Sequence, residues 1–136
     1  MSSSRSGKFL ERAMKDGRIV GARRVETELE RWEERLPPLK AWLDSHKYLF
    51  CDVTDAQLAA AKQIVNAFPA YGSNDNYLGD LEVMTLAKAR SLTVISLEQK
   101  AQQHSKQRPK IPNVSDEFDI PCVNLAGFLR AEGFTS

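Results

Sequence analysis

The chain has 136 residues, 42% hydrophobic and 27% charged, the length and balance of one globular domain with a sizeable core. A formal net charge of +1 excludes wholesale attraction to nucleic acid, so binding of that kind has to come from a local patch. No apolar run reaches membrane-spanning length and the polar residues 1–6 lack a signal-peptide core, which makes the cytosol the expected compartment and a membrane no partner.

In chain order, residues 1–7 are rich in Ser, Gly and Arg and read as a disordered arm before a single domain over 8–136. A helix is predicted over 8–15, stopped by Asp16-Gly17, and Arg18-Ile19-Val20 is a short strand candidate. A second helix is predicted over 23–35, ending before Pro37-Pro38. A third, over 39–45, leads into the strand Tyr48-Leu49-Phe50-Cys51. Thr54 with Gln57 forms a capping box for a helix through Ala67, and 69–76 reads as a loop of Gly, Ser, Asn and Asp. Asp80 then opens an apolar helix over 80–90, followed by the β-branched run Thr93-Val94-Ile95-Ser96, with Glu98 just past its end. Residues 99–113 are polar and basic; Pro121-Cys122-Val123-Asn124 is the last strand and 125–130 a closing helix stopped by Gly133. Helices alternating with short buried strands indicate an α/β fold with a mainly parallel sheet.

In an open α/β sheet, ligands bind off the carboxyl ends of the strands, which places Glu98 and the start of the preceding helix at the functional edge. Two carboxylates brought together there repel each other, and a divalent cation relieves the repulsion. Asp80 also has a purely structural use as a cap or first-turn acid of its helix, and Glu98 one as a turn acid. In the second helix, Val25, Leu29 and Trp32 form one apolar stripe. At roughly 100° per residue Glu28 falls on the border of that stripe, while Glu26, Glu30, Glu33 and Glu34 are expected to point further toward solvent. Lys100, His104, Lys106, Arg108 and Lys110 follow Glu98 with no acid until Asp116, a solvated loop or a phosphate-contacting one, with Arg23 and Arg24 able to add to it. Tyr71, Tyr77 and Trp42 are candidates for stacking on bases, although the tryptophans fit helix core or rim positions as well. Cys51 and Cys122 sit in apolar strand-like runs and read as reduced core thiols; His46 and His104 offer no zinc spacing.

Together these segments resemble a family of small bacterial and archaeal proteins of unassigned function classed with the PIN-like nucleases. Phe9-Leu10-Glu11 through Val20 resembles that family's first helix, turn and strand, and Val25-Glu26-Thr27-Glu28-Leu29 its valine-x-x-glutamate-leucine motif, which carries a metal-binding acid. Asp80 with Ala87 resembles the aspartate that opens the penultimate helix, and Val94-Ile95-Ser96-Leu97-Glu98 the strand ending in an acid, with Lys100 where a lysine is common. Lys110-Ile111-Pro112-Asn113 and Cys122-Val123-Asn124-Leu125 resemble the C-terminal signature. The resemblance implies a three-layer fold with a short, mainly parallel central sheet flanked by helices. It implies hydrolysis of RNA phosphodiesters with Mg²⁺ or Mn²⁺, with Glu28, Asp80 and Glu98 as catalytic metal ligands and Lys100, Lys106, Arg108, Lys110 and Arg24 on the RNA. Many PIN-like proteins are toxins silenced by an antitoxin, and some members of this family resemble toxins paired with a helix-turn-helix regulator. PIN-like chains open with a central strand ending in an aspartate, which the segments here do not match, so the expectation is a domain with its first strand missing. Such a domain has three acids in place of four, enough for one octahedral Mg²⁺ completed by waters. Its sheet centre would be covered by a partner's strand or by a second copy in a homodimer. The competing expectation is a relative that keeps the fold and binds RNA or protein without turnover.

Overall fold

The computed structural model describes residues 5–98 and 107–133. The chain is mixed α/β, with two short parallel strand pairs set among helices. It divides into two compact units, Met1–Asp52 and Val53–Ser136, each with its own core.

In the first unit, helix α1 (Arg5–Lys15) already includes residues 5–7, read from composition as part of an arm. It ends where Gly17 takes φ +77°, a left-handed conformation that a residue without a Cβ adopts at little cost. The strand expected at 18–20 forms instead at β1 (Gly21–Ala22). The N–H groups of Arg18 and Ile19 both return to the Ala13 carbonyl, at 2.9 and 3.2 Å, and so close the helix end before a ladder can begin. Strand β1 runs parallel to β2 (Phe50–Cys51), with Gly21 opposite Phe50. A Cβ at Gly21 would stand 3.0 Å from the Phe50 ring, so a larger residue here would press on that ring.

Helix α2 (Arg23–Glu30) is shorter than predicted. From Arg31 to Glu33 the N–H groups bond three residues back, at 3.3, 3.0 and 3.2 Å, and the tighter winding takes the chain off the helical stripe. Trp32, expected on the apolar face, is consequently exposed. Helix α3 (Pro37–Ser45) starts on prolines, whose missing N–H is not needed in a first turn, and a 3₁₀ turn (Lys47–Leu49) takes the first half of the predicted second strand. Leu43, Leu49 and Phe50 form the core, with Val25, Leu29 and Trp42 against it. Buried His46 ties α1 to α3: Nε2 lies 2.8 and 2.9 Å from the two Glu11 oxygens, Nδ1 2.7 Å from the Trp42 carbonyl, and the ring stacks on Trp42.

In the second unit, helix α4 (Asp55–Ala67) carries the predicted capping box at both ends of the exchange. The Gln57 N–H donates to Thr54 Oγ1 and the Thr54 N–H donates to Gln57 Oε1, each at 3.3 Å. The span 69–76, expected as loop, holds a four-residue helix α5 (Ala70–Ser73) and a 3₁₀ turn (Asp75–Tyr77), elements too short to show a periodicity. Helix α6 (Leu78–Arg90) follows and packs on α4, with a buried contact of 3.5 Å between the Gln57 amide and the Thr85 hydroxyl. Strand β3 (Val94–Ser96) pairs in parallel with β4 (Cys122–Asn124) in the register Val94–Cys122, Ile95–Val123 and Ser96–Asn124. Between them lies helix α7 (Ile111–Glu117), inside and beyond the stretch read as a basic loop, and α8 (Leu125–Ala131) closes the unit. Ile64, Phe68, Tyr71, Met84, Val94 and Val114 are the centre of its core. Among the described residues no helix is long and apolar enough to cross a membrane.

The reciprocal cap fixes where α4 begins, and α4 is the main support of α6. Replacing Thr54 by Ala should lower the unfolding free energy by about 0.5–2 kcal/mol, read as a drop in the urea midpoint at unchanged slope.

Candidate functional site

Glu98 is placed by the end of β3. The Glu98 N–H donates to Ser96 Oγ at 3.0 Å, a local turn that folds the chain back immediately after the strand. The carboxylate then accepts the N–H of Ile111, the first residue of α7, on Oε1 at 3.0 Å. An acceptor of this kind satisfies one of the donors that every helix start leaves open, and a negative charge there is favoured by the helix dipole. The other oxygen, Oε2, lies 3.9 Å from Lys110 Nζ, a half-exposed pair worth little by itself.

Asp80 is the third residue of α6, so the first-turn reading of this acid holds and the N-cap reading does not: the cap residue is Tyr77. The carboxylate is half-buried. The charges of Asp80 and Glu98 both act on buried Tyr71. This side chain is 0% exposed, with its ring edge-on to Tyr77 at 5.6 Å and to Phe68 at 6.4 Å. Burial pushes the Tyr71 phenol well above its ordinary range; the charges of Asp80 and then Glu98 push it further in the same direction, followed by Tyr77. Both charges therefore act on one hydroxyl, which has no hydrogen-bond partner among the described residues. The charge of Glu98 also reaches the Cys122 thiol in β4. Burial is the main cause that raises this thiol, the Ser115 hydroxyl works against it, and Glu98 adds to the rise. A neutral, half-buried thiol fits the expected structural role.

Glu28 belongs to the first unit and is described there. Its Oε2 lies 3.7 Å from Arg24 Nε across one turn of α2, and its side chain is 34% exposed. The expectation that Glu28 is the one half-buried acid of this helix, with Glu26 in solvent, is overturned: Glu26 is 5% exposed. Arg23 at the start of α2 and Lys47 in the turn before β2 bring cations over that flank of the helix. Arg23 Nη1 donates to Glu26 Oε1 at 2.6 Å, and Lys47 Nζ stands 3.2 Å from Oε2. Arg23 is fixed in turn by Asp52 at 2.8 Å and the Phe50 carbonyl at 3.1 Å. The Arg23 hydrogen bond is the largest cause that holds the Glu26 carboxyl below its usual range, with Lys47 adding to it against the cost of burial. A helical wheel based on apolar residues alone misses this, because it assigns a paired acid to water.

Of the expected RNA contacts, Arg108 and Lys110 are exposed and Arg24 is half-buried beside Glu28; Lys100 and Lys106, with His104, lie outside the described residues. Tyr71, read as a base-stacking candidate, is buried and cannot stack on a base from that position. Its burial was hidden because it stands in a Gly- and Asn-rich stretch without apolar periodicity. Among the described residues, no three of His, Cys, Asp and Glu are grouped as a metal-holding cluster.

Two carboxylates supply hard oxygen donors, and Mg²⁺ or Mn²⁺ is commonly held by one or two carboxylates with waters completing the octahedron. The donor chemistry of Asp80 and Glu98 fits such a cation.

Glu26 contributes to stability through a carboxylate whose folded pKa lies below its unfolded value. That contribution is present above about pH 4.5, the ordinary carboxyl range, and is lost as pH falls through the folded value. Glu26→Gln should therefore destabilise the protein at pH 7 by about 1–3 kcal/mol, and the gap to the unsubstituted chain should close as the denaturation series is carried below that range.

The model of a family described as "Domain of unknown function (DUF4411)" matches residues 8–136. No characterised protein and no solved structure matches the chain.

Proposed function

We propose a function for this chain, which belongs to the DUF4411 family: a metal-dependent ribonuclease of PIN-like type that hydrolyses RNA phosphodiester bonds. The observation that carries the proposal is the position of Glu98 just past the carboxyl end of a parallel strand, with Asp80 in the first turn of the helix that precedes that strand. The three-layer fold with a central sheet is part of the same proposal. In its favour, both strand pairs are parallel and helices stand between the paired strands of each.

In this reading Asp80 and Glu98 hold Mg²⁺ or Mn²⁺, and Glu28 is the acid that the valine-x-x-glutamate-leucine motif assigns to the same task. When bound, the cation supplies charge neutralisation and a water activated for in-line attack. The protein does the rest. Asp80 stands in the first turn of α6, where the helix dipole favours a negative charge. The Glu98 backbone N–H donates to Ser96 Oγ and its Oε1 accepts the Ile111 N–H at the start of α7, so the carboxylate has a fixed direction. Lys110 stands 3.9 Å from Glu98 and Arg108 is exposed two residues before Lys110; with Lys100, Lys106 and Arg24 they would hold the phosphate backbone and orient the scissile bond. RNA is then the substrate. A protein partner of the antitoxin or helix-turn-helix regulator kind, action in the cytoplasm and pairing as a homodimer are expectations carried by the resemblance alone.

Cleavage of a structured RNA should require Mg²⁺ or Mn²⁺, and Asp80→Asn should lower the rate about 100-fold or more while leaving the melting temperature near that of the unsubstituted chain. Cleavage that persists in chelator, or that is unchanged in the variant, would overturn the proposal.

One observation favours the second reading, a binding module without turnover. Glu98 already has a structural task at the start of α7, and that task does not need a metal. Glu98→Gln separates the two readings, because the amide retains an oxygen to accept the Ile111 N–H but is a poor ligand for a hard cation. If Glu98 is a ligand, calorimetric titration with Mn²⁺ should show heat for the unsubstituted chain and little for Glu98→Gln, at equal stability. Absence of heat in both assigns the residue to structure alone.

A further inference from the structure

Helix α1 carries its positive charge on one side. At roughly 100° per residue, Arg5, Lys8, Arg12 and Lys15 fall within an arc of about 80°, and Phe9, Leu10, Ala13 and Met14 lie round the other side of the wheel. The apolar side is the one that packs: Ala13 is 1% exposed and Met14 lies against the core of Leu43, Leu49 and Phe50. The four cations are exposed. Among the described residues Lys8, Arg12 and Lys15 enter no ion pair, unlike Arg23, Lys40 and Lys47 of the same unit, which pair with acids. Glu11, the acid within the helix, has its carboxylate engaged by His46, and Asp16 stands in the turn past the helix end. Beyond that turn, Arg18 lies over the Phe9 ring at 5.4 Å and adds a fifth cation beside the row. Residues 5–18 thus hold five cations and two acids in a chain whose net charge is +1. The fold sets that surplus along one exposed edge, about 15 Å from Arg5 to Lys15 at the helical rise.

We infer that this row is a contact surface for RNA, on which Lys8, Arg12 and Lys15 each meet a backbone phosphate. The inference rests on RNA being the substrate, as proposed above, and deepens that reading by naming a contact surface on the first unit. Like charges three and four residues apart on a helix repel each other, and a helix that had only to stay soluble would interleave the two signs. A partner that offsets the repulsion is itself a row of regularly spaced negative charge, which describes a phosphodiester backbone. The arginines at positions 5, 12 and 18 add planar forks that suit phosphate oxygens. A lipid surface fits the helix less well, because a helix lying on a membrane needs its apolar face for the bilayer, and here that face is in the core. Contacts to phosphate position a strand without reading its sequence, so the row raises affinity for RNA in general.

The test measures binding of a labelled oligouridylate to the full chain over a salt series, in EDTA so that no cleavage intervenes. Three proteins are compared. The first is unsubstituted, and the second carries Lys8→Gln, Arg12→Gln and Lys15→Gln. The third, with Lys40→Gln, Lys62→Gln and Arg90→Gln, removes the same charge from other exposed positions. Each phosphate contact on a single strand contributes about 0.7 to the slope of log affinity against log salt. The α1 variant should therefore lose about 2 from the slope and bind about 10- to 100-fold more weakly at about 0.1 M salt, while the control keeps the slope of the unsubstituted chain. Arg12→Gln alone should lose about 0.7, which keeps the test decisive if the triple variant does not fold. Equal slopes for the unsubstituted chain and the α1 variant overturn the inference. So do an equal loss in the control, polyglutamate competing as well as RNA does, or no binding by the unsubstituted chain. Cleavage with Mg²⁺ or Mn²⁺ at unchanged slope leaves the ribonuclease reading standing without the row. A slope lost in the α1 variant, with no cleavage by the unsubstituted chain, leaves the row standing without the ribonuclease.

Discussion

The second unit depends on one carboxylate placed at the end of a three-residue strand. Glu98 is turned back by the Ser96 hydroxyl and accepts the first N–H of α7, thirteen residues on. A seven-residue helix that starts on Ile111-Pro112 has little intrinsic tendency to form in water. It exists because its N-terminus is satisfied from β3 and because Ile111 and Val114 enter the core beside Val94. The parallel pairing of β3 with β4 follows from the same arrangement, since α7 is the described helix between the two strands. Asp80 is carried by α6, which packs on α4. The acids are thus a consequence of how the unit closes its crossover.

The first unit solves a comparable problem with charge. A two-residue parallel pair cannot hold strands together by its ladder alone. Arg23, at the first position of α2, joins β2 to the helix by bonding Glu26, Asp52 and the Phe50 carbonyl at once. Glu26 can be buried only because Arg23 and Lys47 accompany it, and a lone carboxylate at that depth would be strongly unfavourable. His46, between Glu11 and the Trp42 carbonyl, does the same for α1 and α3.

What the sequence made legible follows from the range of the forces. The α4 cap, the Gly17 stop and the apolar strands around Phe50, Val94 and Cys122 are set by neighbours within a few residues, and each forms close to where local pattern puts it. Helix α7 was not legible, because its cap is supplied from far along the chain. Glu26 was misassigned to solvent, since amphipathic spacing does not register the cations Arg23 and Lys47 that pair with it. The positions of Asp80 in the first turn of its helix and of Glu98 just past its strand were legible from local pattern, whereas the burial of Tyr71 was not, since a tyrosine in a Gly- and Asn-rich stretch has no pattern that marks it as buried.

The double demand on Glu98 also constrains what the site can bind. One of its oxygens is engaged by the Ile111 N–H at 3.0 Å, so only the other is available in full. A large cation with seven or eight ligands and bidentate carboxylates would have to take Oε1 away from α7 and so loosen the helix start. A small octahedral cation that accepts one oxygen from each acid and keeps most of its waters makes no such demand. Under the metal-dependent reading, the fold itself therefore prefers Mg²⁺ or Mn²⁺ to Ca²⁺. The physical reason is the competition for one carboxylate between a helix terminus and a metal, in which a ligand that needs a single oxygen leaves the helix intact.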